Sequence, residues 1–491
     1  MDFSRINWGA VSVIAALYLF LYILGTRAAR RGKAEGFAGM ALAGRRLPLG
    51  VGVITMTATW VGGGYLNGTA EATYGGGLWQ AQAPWGYALS LVVGGLWFAP
   101  PMRRLGCTTM LDPFEARYGA DVAACLYLPA LMGELFWTAA ILAALGATFE
   151  VIAGIPFGLA VLLSAGVAMA YTVRSGLWGV AVTDVVQMGL VFIGLSLAMV
   201  VAVGKGGGPD AVWVAYASSG AGRPPSSWIP WGDSALLLVF GGIPWHVYFQ
   251  RVLATKSPSD ARRLSLWAGG LSLLAAVPAL VIGVVGRATD WGALGVPALD
   301  ATMVLPLVLL HLTTPVVAML GLGALAAAVM SSVDSSILSA SSMATWNIYR
   351  PLVRPQASSV ELKRMVRRVI VIVSCGATII ALNVHSVYAL WFLCSDFVYC
   401  ILFPQLVCAL YDRRANRVGA LAGYGVSLIL RLGAGEPLLG IPGLIPYAAE
   451  QGTGAIWFPF RTFAMLAGLT VIVTVSRLMG VGSRTGTCDD C

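Results

Sequence analysis

Five carboxyl groups stand within strongly apolar stretches of the 491-residue sequence. They are Glu71, Glu134, Asp184, Asp334 and Asp396. A charge buried in a membrane is expensive, so each group is a candidate functional residue. Asp334 lies in the stretch AAVMSSVDSSILSASSM (327–343), which contains seven serines. Hydroxyl and carbonyl oxygens are the ligands that hard cations prefer, which favours a cation site here. The alternative is that each hydroxyl bonds to a carbonyl of its own helix.

Four tryptophans also stand inside apolar stretches rather than at their ends, where membrane proteins usually place this residue. They are Trp60, Trp137, Trp245 and Trp391. Aromatic faces attract cations, and a cage of such rings is how proteins hold a quaternary ammonium group. Because a quaternary nitrogen has no N–H to donate, such a cage needs no carboxylate at contact distance. Ordinary helix packing is the alternative, and the residues alone leave both interpretations open.

Two apolar stretches, TMTATWVGGGYLNGTAE (55–71) and LLLVFGGIPWHVYFQR (236–251), contain residues that interrupt helices. The interrupting residues are Gly62, Gly63, Gly64, Gly241, Gly242 and Pro244. Non-helical backbone in hydrocarbon is tolerated only where it lines a buried cavity, and secondary transporters place substrate and ion sites at such interruptions. Close packing of small residues is the alternative. Two interrupted helices, five spans apart, favour a binding site in an inverted repeat.

The elements that carry these residues are predicted to be membrane-spanning helices. The sequence is 58% hydrophobic and only 11% charged, whereas soluble domains carry about 25% charged residues. Apolar runs long enough to cross a bilayer recur throughout. Thirteen spans are predicted, at residues 7–26, 49–70, 79–101, 122–149, 155–173, 177–204, 233–252, 264–287, 315–346, 366–384, 386–411, 418–433 and 460–481. The shorter segment 302–313 is predicted to be an outer or re-entrant helix. The prediction is therefore an all-α polytopic membrane protein with one transmembrane domain over residues 1–491.

The positively charged residues predict the orientation of the chain. It has 31 Lys and Arg residues, and most fall in inner loops when the N-terminus is placed outside and the C-terminus inside, as the positive-inside rule requires. Arg251 is assigned to one of these inner loops. The outer exceptions are Arg5, Lys205, Arg223, Arg287, Arg431 and Arg461. Topology thus accounts for the net charge of +9, and no nucleic-acid partner is predicted.

Several longer motifs resemble one known family. They are TMTATWVGGGYLNGTAEA, TMLDPF, PALMGELFW, YTVRSGLWGVAVTDVVQ, GGIPWHVYFQRVL, AAVMSSVDSSILSASSM and FPQLVCALY. In this order, they resemble the high-affinity choline transporter branch of the sodium:solute symporter family over about residues 8–475. The resemblance implies the leucine-transporter-type inverted repeat of five plus five helices, with its core at 49–411 and flanking helices at 7–26, 418–433 and 460–481. It also implies a plasma-membrane protein.

The resemblance assigns roles to individual residues. Sodium is expected between the first interrupted helix and the serine-rich helix, at Val53, Met56, Ala328, Ser331 and Ser332. Asp184 is similar to an acid linked to a further sodium site, and Asp334 would add charge. Choline is expected in a cage of Trp60, Trp137, Trp245 and Trp391, with Tyr87 nearby. The resemblance also implies dependence on chloride, for which the sequence indicates no site.

The predicted function is therefore sodium-coupled choline import by alternating access, with co-transported Na⁺ and Cl⁻ and no bound cofactor. The alternative within the same class is a sodium symporter for another small solute such as betaine, proline or a sugar. A channel or receptor fits poorly with paired interrupted helices. No nucleophile–base pair or metal cluster is recognisable, so the chain is not predicted to be an enzyme.

Overall fold

The computed structural model describes residues 7–31, 36–296, 300–384, 387–449 and 456–479. Within these ranges the chain is helical and forms only isolated extended bridges, such as the one between Leu47 and Thr255. The α-helices are α1 Trp8–Arg31, α2 Gly36–Leu42, α3 Leu49–Trp60, α4 Gly63–Gly76, α5 Ala83–Val93, α6 Ala99–Arg104, α7 Asp112–Tyr118, α8 Ala120–Ala153, α9 Phe157–Lys205, α10 Pro209–Ser218, α11 Trp228–Gly241, α12 His246–Ala254, α13 Pro258–Ala288, α14 Val304–His311, α15 Pro315–Met343, α16 Ser359–Asn383, α17 Val387–Phe397, α18 Phe403–Tyr411, α19 Arg417–Gly433 and α20 Phe460–Leu478. Short π-helical turns join α5 to α6 and α17 to α18, and another extends α15 to Val353.

Two helices of the bundle are interrupted. The axes of α3 and α4 are bent by 51°, and the backbone between them is extended at Gly62. Gly63 and Gly64 are the first residues of α4 rather than part of the break. Their N–H groups have no acceptor within α4, as is true of the first N–H groups of every helix. The second interruption separates α11 from α12, and Pro244 and the extended residue Trp245 lie in it.

The described helices account for all thirteen predicted spans. Nine of these helices are long and apolar enough to cross a membrane, and the number is ten when the bent pair of α3 and α4 is counted as one span. The continuous helical run 83–104 and the 17-residue helix α19 match two further predicted spans. Helix α9 covers two predicted spans and is interrupted at Gly176, whose φ of 57° is in the left-handed region that favours glycine. Segment 302–313 contains α14, and residues 480 and 481 of the last predicted span lie outside the described ranges.

Helix α15 runs through the middle of the bundle. Every residue from Gly321 to Met343 is buried, so this part of the helix has no face towards lipid. It packs against α3, α8, α9 and α12. The serines of α15 therefore face other helices, and their hydroxyls must find partners inside the protein.

Candidate functional site

Five aromatic side chains from five helical segments meet in one place, and we call them the aromatic cage. Trp60 ends α3, Tyr87 lies in α5, Trp137 in α8 and Trp391 in α17, and Trp245 immediately precedes α12. Each is at most 8% exposed. The two interruptions position Trp60 and Trp245, because each tryptophan stands where its helix ends or begins.

The rings of the cage contact one another in a continuous lining. The ring centroid of Trp60 lies 6.3 Å from that of Tyr87 and 6.5 Å from that of Trp137. The centroids of Trp137 and Trp245 are 5.6 Å apart, and those of Tyr87 and Trp391 are 5.1 Å apart. The planes are steeply inclined to each other, which is the arrangement that the quadrupoles of aromatic rings favour. The structure therefore brings the four predicted cage tryptophans together, and Tyr87 lies among them.

The cage lines a cavity, to which Cys394 also contributes. None of the described residues that line it is charged. The hydroxyls of Tyr87 and Ser395 share a hydrogen bond of 2.6 Å, and Trp245 Nε1 donates to the carbonyl of Gly241 at 2.6 Å. Trp60 Nε1 is buried and has no acceptor among the described residues. The cavity thus offers aromatic faces, and the indole N–H of Trp60 is left without an acceptor among the described residues.

Two residues near the cage were not found from the sequence. Cys394 follows Trp391 by three positions on α17, and Tyr248 follows Trp245 by three positions at the start of α12. The ring of Tyr248 lies 6.1 Å from that of Trp60. Residues three apart on a helix share a face, so this spacing could have identified Cys394, whereas Trp245 precedes α12 and its spacing to Tyr248 is no such signal.

Asp184 joins three helices. Its carboxylate on α9 accepts hydrogen bonds from the hydroxyl of Thr55 on α3 and, at 2.6 Å, from the hydroxyl of Ser331 on α15. Asp184 and Ser331 are fully buried. Carboxylate and hydroxyl oxygens at one point make a suitable ligand set for a hard cation. Thr55 is an additional residue of this set that the sequence did not suggest.

The serine helix lies directly against the first interruption. Ser332 Oγ donates to the carbonyl of Thr59 at 3.0 Å, and a side chain at Gly62 would place its Cβ 2.1 Å from that same Oγ. The other predicted sodium ligands lie on the same two helices. Val53 is half-buried on α3, and its carbonyl accepts from the hydroxyl of Thr57 at 2.9 Å. Met56 on α3 and Ala328 on α15 are buried.

A second polar layer contains Arg251, Asp334 and Glu134, all fully or almost fully buried. The assignment of Arg251 to an inner loop was wrong. This residue lies in α12, 0% exposed, and its guanidinium donates to Ser335 Oγ at 2.5 Å. It is held inside because its closest nitrogen lies 4.0 Å from a carboxylate oxygen of Asp184. Charge counting cannot detect such a partner, since it treats a cation near a helix end as a loop residue.

The remaining two carboxyl groups have other surroundings. Asp396 accepts from Arg431 Nε at 2.8 Å and from Arg461 Nε at 2.7 Å, so it belongs to an ion-pair network. Arg431 is itself buried, although the sequence placed it among the outer residues. Glu71 is half-buried on α4 and is not among the residues that line the cage.

Comparison with known proteins identifies the family. The sequence profile of the sodium:solute symporter family matches residues 40–426. The high-affinity choline transporter 1 of Caenorhabditis elegans is 47% identical over 95% of this chain and 84% of its own length. The human high-affinity choline transporter 1 is 45% identical over 98% of this chain and 86% of its own length.

A solved structure confirms the predicted fold. The substrate-bound, outward-open structure of a Na⁺-coupled sialic acid symporter superimposes with a TM-score of 0.82 at 18% identity, covering 96% of this chain and 97% of that one. At this identity the likeness concerns the fold alone. The chain is thus an all-α membrane protein with the leucine-transporter-type architecture. By the extent of these matches it belongs to the sodium:solute symporter family.

Proposed function

We propose that this protein imports choline across the plasma membrane, driven by sodium. The observation that carries the proposal is the uncharged aromatic cage between two interrupted helices. The names of the relatives that are 45–47% identical support the same substrate. Because proteins of this family are transporters, the prediction that the chain is not an enzyme is confirmed.

Choline fits the cage by charge and by its hydroxyl. A desolvated cation on an aromatic face gains about 2 kcal/mol, so three or four rings supply much of the roughly 8 kcal/mol that micromolar binding requires. The trimethylammonium group needs no hydrogen-bond acceptor, which agrees with a lining free of carboxylates among the described residues. The N–H of Trp60, which has no acceptor among the described residues, is the proposed donor to the choline hydroxyl.

Sodium is proposed to bind where the serine helix meets α3. The proposed ligands are the carbonyls of Val53, Met56 and Ala328 and the hydroxyls of Ser331 and Ser332, with Asp184 and Asp334 supplying charge. The hydrogen bonds from Thr55 and Ser331 to Asp184 support this position. An inward sodium gains about 2.3 kcal/mol per 100 mV of membrane potential in addition to its concentration gradient.

Transport is proposed to proceed by alternating access around the interrupted helices. The polar contacts on the predicted inner side support a state closed to the cytosol. Arg103 Nε donates to the carbonyl of Thr255 at 2.9 Å, and Asn347 Nδ2 donates to Asp112 at 2.9 Å. An outside N-terminus is proposed from the distribution of Lys and Arg, and chloride dependence from the resemblance to choline transporters.

The test is uptake of labelled choline by liposomes that contain the purified protein, with and without an inward sodium gradient. We expect gradient-dependent accumulation above equilibrium that unlabelled choline blocks. Trp245→Ala should abolish it, whereas Trp97→Ala, a change at a 55% exposed side chain, should not. Sodium-driven uptake of betaine or proline without choline uptake would contradict choline as the substrate but would agree with sodium symport. Downhill choline flux that does not depend on sodium would contradict sodium symport.

A further inference from the structure

Arg251 is the one fully buried cation of α12, the inner half of the second interrupted helix, within the part of the chain that the structure describes. Its guanidinium makes three hydrogen bonds and one longer ionic contact. Nη2 donates to Ser335 Oγ at 2.5 Å, and Nη1 donates to Gln250 Oε1 at 3.1 Å and to the carbonyl of Val247 at 3.4 Å. Nη2 also lies 4.0 Å from Asp184 Oδ2. Its Nε has no acceptor among the described residues. The side chain is therefore close to Asp184 without being locked onto it.

Three buried carboxyl groups lie within electrostatic range of this single guanidinium. Asp184, Asp334 and Glu134 all interact electrostatically with Arg251. Hydroxyls of Ser336 and Ser339 donate to Glu134, while Asp334 Oδ2 has no partner among the described residues. Buried charges must be paired or must bind a metal ion. One guanidinium cannot neutralise three ionised carboxylates, so the charge of the layer favours a further cation.

The distance between Arg251 and Asp184 indicates that a further cation would compete with the guanidinium for Asp184. A direct charge-assisted N–H···O contact is about 2.7–2.9 Å long, and the closest Arg251–Asp184 approach is longer, at 4.0 Å. Asp184 is meanwhile held by hydroxyls of Thr55 and Ser331, which lie on the two helices proposed to bind sodium. A sodium ion at these oxygens and the guanidinium would repel each other at short range.

We infer that Arg251 and the transported sodium are alternative partners of Asp184, and that Arg251 replaces sodium there in the empty carrier. The inference rests on the proposed sodium coupling. With sodium bound, repulsion moves the guanidinium towards Asp334 and Glu134. After sodium leaves, Arg251 neutralises Asp184, so the empty carrier returns without an unpaired buried charge. Arg251 is thus a positioning residue for coupling, and it acts through Asp184.

Helix α12 connects this exchange to the inner side of the protein. His246 at its start accepts a hydrogen bond from the backbone N–H of Met110 at 3.2 Å, and the carbonyl of Ala254 at its end accepts from the N–H of Leu47 at 3.0 Å. A shift of Arg251 therefore acts on a helix whose two ends are both attached to inner segments.

The test separates sodium binding from the return step in Arg251→Gln. Without the competing charge, sodium should bind at least about tenfold more tightly, measured as the sodium concentration that half-saturates the change in tryptophan fluorescence or in melting temperature of the purified protein. Net choline uptake should be lost because the empty carrier no longer returns. Exchange of internal for external choline, which needs no empty carrier, should persist. Arg251→Lys keeps the charge and should retain sodium affinity and net uptake.

A folding defect of Arg251→Gln is handled by a second variant. Arg251→Gln combined with Glu134→Gln keeps the net charge of the layer and should also bind sodium more tightly. An unchanged or weaker sodium affinity in either folded variant overturns the inference, as does equal loss of exchange and net uptake. If the unmodified protein shows no sodium effect at all, the proposed function fails instead, and the two failures are therefore distinguishable.

Discussion

Trp60 has two groups that a hydroxylated cation can use, the indole face and the free N–H. Trp60→Phe keeps an aromatic face and removes the donor. We expect choline to lose one hydrogen bond of about 1 kcal/mol, or about fivefold in affinity, relative to tetramethylammonium, which has no hydroxyl. Competition binding of both ligands to the purified variant measures this ratio. An unchanged ratio would mean that the N–H does not contact the substrate.

The hydroxyl of Ser332 lies directly against the first interruption. Removing one oxygen ligand in Ser332→Ala should raise the half-saturating sodium concentration about tenfold, since a hydrogen bond or ligand contact to a charge is worth about 1.5 kcal/mol or more. The preference for choline over tetramethylammonium should not change. Ser341→Ala is the matched control, because within the described residues the hydroxyl of Ser341 donates to the carbonyl of Ile337 in its own helix. A sodium curve unaffected by Ser332→Ala would contradict the proposed position of the ion.

At the scale of residues, the sequence predicted single side chains better than their partners. The four tryptophans and Asp184 stood out because they are unusual within apolar stretches. Thr55 did not, since threonine is common in membrane helices and acquires meaning only when α9 brings Asp184 against it. The role of Arg251 was missed for the same reason, because its partners come from helices distant in sequence.

The close contact between the first interruption and α15 depends on glycine at position 62. Its backbone has φ −83° and ψ 177°, which any residue can adopt, so the requirement is steric. In Gly62→Ala the new Cβ would lie 2.1 Å from Ser332 Oγ and 2.8 Å from Ser332 Cβ. Overpacking of about 1–3 kcal/mol should separate the two elements and reduce sodium-driven uptake about tenfold or more.

The matched control for this change is Gly50→Ala, at the other end of α3. A Cβ at Gly50 meets nothing within 4 Å, and alanine favours helices more than glycine does. Uptake should therefore be normal in Gly50→Ala. Normal uptake in Gly62→Ala as well would show that α15 need not touch the interruption during transport.

At the scale of elements, the pattern of apolar runs and glycines predicted where the described helices lie but placed their boundaries less well. Gly63 and Gly64 were expected in the break, yet they are the first two residues of α4, because the sequence cannot tell a glycine that ends a helix from one that starts the next. The interruption of α9 at Gly176 lies between two predicted spans, as expected, since polar residues around it separate two apolar runs.

At the scale of the whole molecule, an ion-pair network joins the flanking helices to the second repeat. Asp396 at the end of α17 contacts Arg431 of α19 and Arg461 of α20. Asp233 of α11 accepts from the N–H of Thr462 at 2.8 Å and pairs with Arg461 at 3.7 Å. The network thereby attaches α19 and α20 to the helices that carry the second interruption and one wall of the cage. The members of this network are far apart in sequence. The sequence analysis therefore used the two arginines only to predict topology and treated Asp396 as a single candidate functional residue.

We expect Arg431→Met to destabilise the protein without changing the cage. Arg431 is buried with Asp396, and removal of one partner of such a pair costs about 3 kcal/mol or more. The loss should fall at the low end, because Arg461 continues to contact Asp396. Thermal unfolding in one detergent, compared with Arg354→Gln, measures the effect. Arg354 and Glu361 form an exposed pair, worth less than about 1 kcal/mol. Choline affinity at low temperature should be unchanged in both variants. If Arg431→Met has the same melting temperature as the unmodified protein, the flanking helices are held by apolar packing, and the network contributes little to their attachment.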